Sequence, residues 1–196
     1  LQKPDRKAIG ESVLTYIAAN GFERLEARLA VQAFIWRYEL ARTHASAVDW
    51  SKLSEADLAS SVADWLGPDL QSKSVDALKP DAIQKSLLAS LDWSVKSELD
   101  RLAPPSQTLP SGRKVAIEDE GEQAPLISAR VQDFYGLTTH PCILAGQKPL
   151  TISLLSPALR PVAITRDLPG FWAGGYGDMR KDMKGRYPKH DWPEDP

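Results

Sequence analysis

The apolar positions change period near the middle of the chain. As far as about residue 103 they recur at three- and four-residue steps, the spacing of helices that each bury one face. Pro4-Asp5 opens the first, with Ile9, Val13, Leu14 and Ile17 on one side, and Asn20-Gly21 ends it. A longer helix carries Leu25, Leu29, Phe34, Ile35 and Tyr38. Ser54 caps the next, Leu53 can staple onto Leu58, and Gly67-Pro68 is the expected stop after Val62, Trp65 and Leu66. Pro80-Asp81 opens a helix bearing Ile83, Leu87, Leu88 and Leu91, and a short one runs from Ser94 to Leu102. Trp50, Trp65 and Trp93 read as core plates of this half, since an aromatic at helical spacing is far more often core than ligand platform.

Pro104-Pro105 closes that region, and β signals follow. Gln107 to Leu109 and Arg113 to Glu118 flank a Pro110-Ser111-Gly112 turn, which predicts a hairpin. Glu118 to Glu122 form an acidic loop. Ala124 to Val131 is a strand entering a helical turn at Gln132 to Tyr135, and Leu150 to Leu155 and Val162 to Thr165 are further strands. Asp167-Leu168-Pro169 then starts one last helix. Leu168, Trp172, Tyr176, Met179 and Met183 form its apolar stripe, Gly185 is its expected stop, and Pro188 and Pro193 impose an extended tail. Trp172 belongs with the core, whereas removing the Trp192 ring is expected to cost less.

These elements predict an α+β fold. A helical region, residues 1–103, packs as one unit with a β-rich region, residues 104–196, in which a small mixed, mostly antiparallel sheet is followed by a C-terminal helix and an extended tail.

Composition narrows the function more by exclusion than by assignment. The 196 residues are 42% hydrophobic and 26% charged, an ordinary globular balance, and the net charge of −2 gives no global attraction to nucleic acid. Residues 1–103 hold 13 basic and 15 acidic residues, and residues 104–196 hold 11 of each, so any basic surface is local. The lone Cys142 excludes an intrachain disulfide and favours a reducing compartment. No apolar run approaches the roughly 18 residues of a membrane span. The first residue is leucine, which points to an excised piece of a longer chain. His44, His140 and His190 are isolated and give no metal-ligand spacing. Neither a GxxxxGK[ST] phosphate loop nor an acidic Mg²⁺ motif occurs; Gly146-Gln147-Lys148 is the nearest pairing and lacks the spacing. No catalytic residue is assigned.

One window departs from neutrality. Arg160, Arg166, Arg180, Lys181, Lys184, Arg186 and Lys189 face only Asp167, Asp178 and Asp182 within 30 residues. One reading is a surface for phosphates, with Tyr187 or Trp192 stacking a base and Arg113-Lys114 as a second basic point. The plainer reading is that Asp178–Lys181 and Asp182–Arg186 are ordinary helix ion pairs, and that Arg113-Lys114 guard a sheet edge.

The same stretch carries a family resemblance. GRYPKHDWPEDP at the end, DLPGFW and LLSPALRP before it, Val131-Gln132-Asp133-Phe134-Tyr135-Gly136, Pro125-Leu126, Leu109-Pro110-Ser111-Gly112 and Leu102-Ala103-Pro104 resemble, in this order, the C-terminal region of the HrpB family of bacterial DEAH-type ATP-dependent helicases. The likeness begins near Trp65-Leu66-Gly67-Pro68. It implies a non-catalytic accessory region, outside a motor that uses ATP and Mg²⁺, in a cytoplasmic protein. The implied partners are the motor domains in cis and RNA or another single-stranded nucleic acid, with no membrane. A protein-interaction or scaffold domain is the alternative.

Overall fold

A computed structural model describes residues 5–45, 48–119 and 124–196, and it has the α+β architecture. The chain divides into two compact units, Leu1–Ala103 and Pro104–Pro196. Residues 120–122 of the acidic loop lie outside the described residues.

The first unit is helical. α1 (Arg6–Asn20) starts where the Asp5 carboxylate accepts the Lys7 amide at 3.0 Å, and it ends at Gly21, whose φ of 69° suits a residue without Cβ. α2 (Ala27–Arg42) buries Val31, Phe34 and Tyr38. α3 (Glu55–Ser60) begins with a complete capping box: the Asp57 amide donates to Ser54 Oγ, and the Ser54 amide donates back to Asp57 at 2.9 Å. α4 (Val62–Trp65) leads into α5 (Gly67–Lys73), a 3₁₀ turn (Ser74–Leu78), α6 (Pro80–Ser90) and α7 (Trp93–Leu102).

Three expectations fail in this unit. Gly67-Pro68 does not stop a helix but starts α5, because a proline in the first turn displaces no intrahelical hydrogen bond. Trp93 is 82% exposed and Leu29 75% exposed, although spacing alone places both in the core. Trp93 sits at the first residue of α7, ahead of Val95 and Leu99, which define the buried face. Trp65 is buried, and its indole N–H donates to the Leu58 carbonyl at 2.9 Å. Trp50 packs edge-on to Tyr38 with centroids 5.0 Å apart.

Among the described residues, one charged side chain lies inside. Arg37, 4% exposed on α2, donates from Nε to the Ala103 carbonyl at the end of α7 and from Nη2 to Asp100. Burial pushes its pKa down, and the hydrogen bond and charge of Asp100 push it back up. The guanidinium thus caps α7 from the side and ties it to α2.

The second unit holds a hairpin of β1 (Ser106–Thr108) and β2 (Lys114–Ala116), then β3 (Leu126–Arg130), a 3₁₀ turn (Val131–Phe134), a hairpin of β4 (Cys142–Ile143) and β5 (Lys148–Pro149), β6 (Thr151–Leu155), β7 (Pro161–Thr165), α8 (Leu168–Ala173) and α9 (Tyr176–Arg186). The main sheet has the order β3-β6-β7. β6 and β7 are antiparallel, but β3 and β6 are parallel, with Leu126 opposite Thr151. The crossover between them contains the β4–β5 hairpin in place of an α-helix. Gly146, at φ 90°, belongs to that hairpin's turn, after Leu144 and Ala145 at φ 55° and 54°. Ile127, Ala129, Ile152 and Leu154 fill the buried face of the sheet.

Replacing Arg37 by alanine should destabilise the helical unit by about 3 kcal/mol, because α7 loses its side cap and Asp100 its partner. Asp100→Asn should cost less, since the carboxylate is 50% exposed. Urea unfolding followed by far-UV circular dichroism measures both.

Candidate nucleic-acid interface

The C-terminal elements begin with a cap that demands glycine. Asp167 accepts the Gly170 amide at 3.0 Å, and a Cβ on Gly170 would come within 2.1 Å of Asp167 Oδ2. His140 Nδ1 accepts the Leu168 amide at 3.1 Å, which leaves the Nε2 proton to donate to the Leu150 carbonyl at 2.7 Å. A neutral imidazole of that one tautomer therefore joins the start of α8 to the start of β6.

The expected single helix is two. Gly174 and Gly175 interrupt it, glycine being the weakest ordinary helix former, yet the stripe survives the break with Leu168, Tyr176 and Met183 buried and Trp172 and Met179 half-buried. Gly185 is not the stop. α9 runs on through Arg186 and ends at Tyr187, where Pro188 excludes helical geometry.

The tail then folds back and is held by side chains. Asp191, Trp192 and Pro193 present three successive carbonyls. Gln132 Nε2 and Tyr135 Oη donate to the first at 3.4 and 3.3 Å, Arg180 Nε to the second at 2.9 Å, and Tyr176 Oη to the third at 2.9 Å. The Trp192 indole N–H returns to the Tyr187 carbonyl at 3.0 Å, and Arg180 Nη2 meets Glu194 at 3.0 Å. Tyr176 is 1% exposed and packs edge-on to Trp172 and Tyr135, at centroid distances of 5.3 and 6.2 Å. Burial pushes both the Tyr135 and Tyr176 phenols up, Tyr135 far beyond the ordinary tyrosine range.

This strap reassigns two expected nucleic-acid contacts. Trp192 is 4% exposed, so its ring closes the core of the unit rather than waiting for a base. The Arg180 side chain is only 20% exposed and is spent on the tail. The others lie at the surface but not in one place. Arg160, in the β6–β7 turn, and Arg166, just past β7, stand at opposite ends of a five-residue strand, about 20 Å apart along it. Arg113 lies 3.7 Å from Asp133, and Lys114 is exposed on β2. Lys181 pairs with Asp178 at 3.2 Å and Arg186 with Asp182 at 3.0 Å, the two helix pairs of the plainer reading. Lys184 and Lys189 are exposed with no carboxylate partner among the described residues, and half-buried Tyr187 lies between them in sequence. No group of three or more His, Cys, Asp and Glu that could hold a metal occurs among the described residues.

Sequence reasoning missed the donors of the strap. The available signal was Tyr176 itself, a hydroxyl on an otherwise apolar stripe, which must find an acceptor once buried.

Residues 65–196 match the family model described as ATP-dependent helicase C-terminal. The chain belongs to the HrpB C-terminal family. It is 36% identical over 197 residues to the ATP-dependent RNA helicase HrpB of Escherichia coli, a match that covers all of this chain and 24% of that protein. Among solved structures, the E. coli DExH-box NTPase HrpB superposes with a TM-score of 0.76 at 36% identity over the whole chain. The E. coli DEAH/RHA helicase HrpB gives 0.66 at 32% identity over 98% of it. The chain spans about a quarter of the length of each, 24% in both cases.

Within this HrpB C-terminal chain, Trp192→Ala should destabilise by about 3–5 kcal/mol, as deletion of a buried large aromatic does. That reverses the sequence expectation for Trp192, and thermal denaturation checks it. The raised phenols set a pH limit. A tyrosine whose folded pKa lies above its unfolded value of about 10 contributes stability that is full below pH 10 and is lost as pH rises towards the folded pKa. Tm should therefore fall above about pH 10, and Tyr135→Phe should flatten that fall.

Proposed function

We propose that this chain is a non-catalytic accessory region of an ATP-dependent helicase and that it helps the motor hold RNA. Family membership supports the helicase context, and the name of the E. coli relative supports RNA. The observation that carries the contact is local: Lys184 and Lys189, exposed and without carboxylate partners among the described residues, flank Tyr187 on a segment whose tail is strapped down. Cations held on a fixed backbone meet a phosphate chain without a large ordering cost. Arg186 can exchange Asp182 for a phosphate, because an exposed i,i+4 pair is worth only a few tenths of a kcal/mol. Arg113, Lys114, Arg160 and Arg166 would contribute as separate points, not as one continuous patch. ATP and Mg²⁺ would act in the motor, outside this chain, in a cytoplasmic enzyme.

A second reading, a scaffold that docks on the helicase core, is favoured by exposed Trp93 and Leu29 in the helical unit. A fluorescence titration of the chain with single-stranded and duplex RNA and DNA across a salt series separates the two. Under the RNA reading, Lys184→Glu and Lys189→Glu weaken binding equally for all sequences, and each lowers the log K–log salt slope by about 0.7 on single strands. Tm stays unchanged. Binding indifferent to both reversals, in this chain and in a full-length relative carrying them, leaves the scaffold reading.

A further inference from the structure

α9 sorts its charges by side. Arg180, Lys184 and Tyr187 stand four and three residues apart, so they follow one another along one side of the helix and its end. Asp178 and Asp182 lie two residues before and after Arg180, which turns them roughly 160° away from it. There they pair with Lys181 and Arg186. The carboxylate that does reach Arg180 comes from the tail: Glu194 Oε1 lies 3.0 Å from Arg180 Nη2.

The two ends of this guanidinium are held differently. Nε donates at 2.9 Å to the carbonyl of Trp192, a residue 4% exposed, so that bond is part of how the tail closes the core. Nη2 meets a carboxylate whose side chain is 87% exposed. The first bond fixes the group in place, and the second is an exposed ion pair of small net strength. Because Glu194 stands so far out, the end of the guanidinium that it meets faces solvent. Its tether is short and fixed, since the Pro193 carbonyl just before it accepts from Tyr176 Oη at 2.9 Å. A carboxylate so placed satisfies an arginine as a phosphate would, with a negative charge spread over acceptor oxygens.

We propose that Glu194 masks a third phosphate contact beside Lys184 and Lys189, and that an RNA phosphate displaces it from Arg180. The inference rests on the RNA reading and adds regulation of that same surface by the chain's own carboxylate. Nothing in the core has to move: Arg180 keeps its Nε on the Trp192 carbonyl, and only the exposed Glu194 side chain turns to water. A tethered carboxylate competes at a high local concentration, so it lowers the affinity for every anion that approaches Arg180. A free phosphate ion has no second hold and loses that competition. A strand already held by Lys184 and Lys189 presents its next phosphate intramolecularly and wins it. The mask therefore favours a polynucleotide over a single phosphate group.

The test compares two substitutions that remove the same charge from the tail of the 196-residue chain. Glu194→Gln unmasks Arg180. Asp195→Asn removes a neighbouring exposed carboxylate that makes no ion pair among the described residues. In a fluorescence anisotropy titration with labelled oligouridylate, Glu194→Gln should bind about threefold more tightly than the unaltered chain. Asp195→Asn should gain much less, because an unpaired exposed charge acts only through the screened field. The gain should vanish when Glu194→Gln is combined with Arg180→Gln, whereas the melting curve of Glu194→Gln alone should not move. Should Arg180→Gln disturb the tail, the comparison of Glu194 with Asp195 still decides. Oligouridylate binding that Glu194→Gln leaves unchanged, or raises no more than Asp195→Asn does, overturns the mask and leaves the RNA reading standing. Absence of binding by the unaltered chain and by both variants overturns the two together.

Discussion

Backbone carbonyls in irregular chain need donors, and the organisation of the second unit follows from how three of them find theirs. Asp191, Trp192 and Pro193 have no helix or ladder to serve them. Four side chains from the 3₁₀ turn after β3, from its end and from α9 do so instead. The Trp192 and Pro193 carbonyls are part-buried, and a carbonyl left without a partner when buried costs about 1–3 kcal/mol, whereas the exposed Asp191 carbonyl can also turn to water. The strap fixes where Trp192 sits, why Arg180 is unavailable at the surface, and why the tail is a structural element although it has no regular secondary structure. The helical unit uses the same chemistry where Arg37 serves the Ala103 carbonyl and where Tyr38 serves that of Ser51.

The charge of the second unit is divided by this bonding. In sequence, seven cations fall in one short window. In three dimensions one of them is half-buried and bound to the tail, two are occupied by neighbouring aspartates along α9, and two stand at opposite ends of β7. What remains open beside the tail is Lys184 and Lys189. Linear clustering of charge therefore overstates the size of the patch, because a helix and a strand each spread neighbours over their own geometry.

Periodicity made the element types and most of their order legible, along with the caps at Asp5, Ser54 and Asp167, since these depend on residues close in sequence. The misses have tertiary causes. Leu29 and Trp93 have helical spacing, but whether a position on a helix is covered depends on which neighbour packs there, and that is not a local property. The β4–β5 hairpin is only two residues per strand, below what alternation can register. The parallel pairing of β3 with β6 was hidden because its crossover lacks the helix that normally announces it. In the candidate site, Lys184, Arg186 and Lys189 were legible as surface cations from their polarity. Arg180 was not, because its carbonyl acceptor lies twelve residues away in a segment whose path no pattern specifies.

The parallel pair has a kinetic consequence. Leu126 meets Thr151 only after the whole intervening segment has been closed into a loop, whereas the partners in the β1–β2 hairpin are at most ten residues apart, as in Ser106 and Ala116. Closing a loop costs entropy that grows with the logarithm of its length, before any long-range contact rewards it. Non-local pairings of this kind set the pace of folding. Hairpins form on the microsecond scale, so the β1–β2 pairing is expected to precede the joining of β3 to β6.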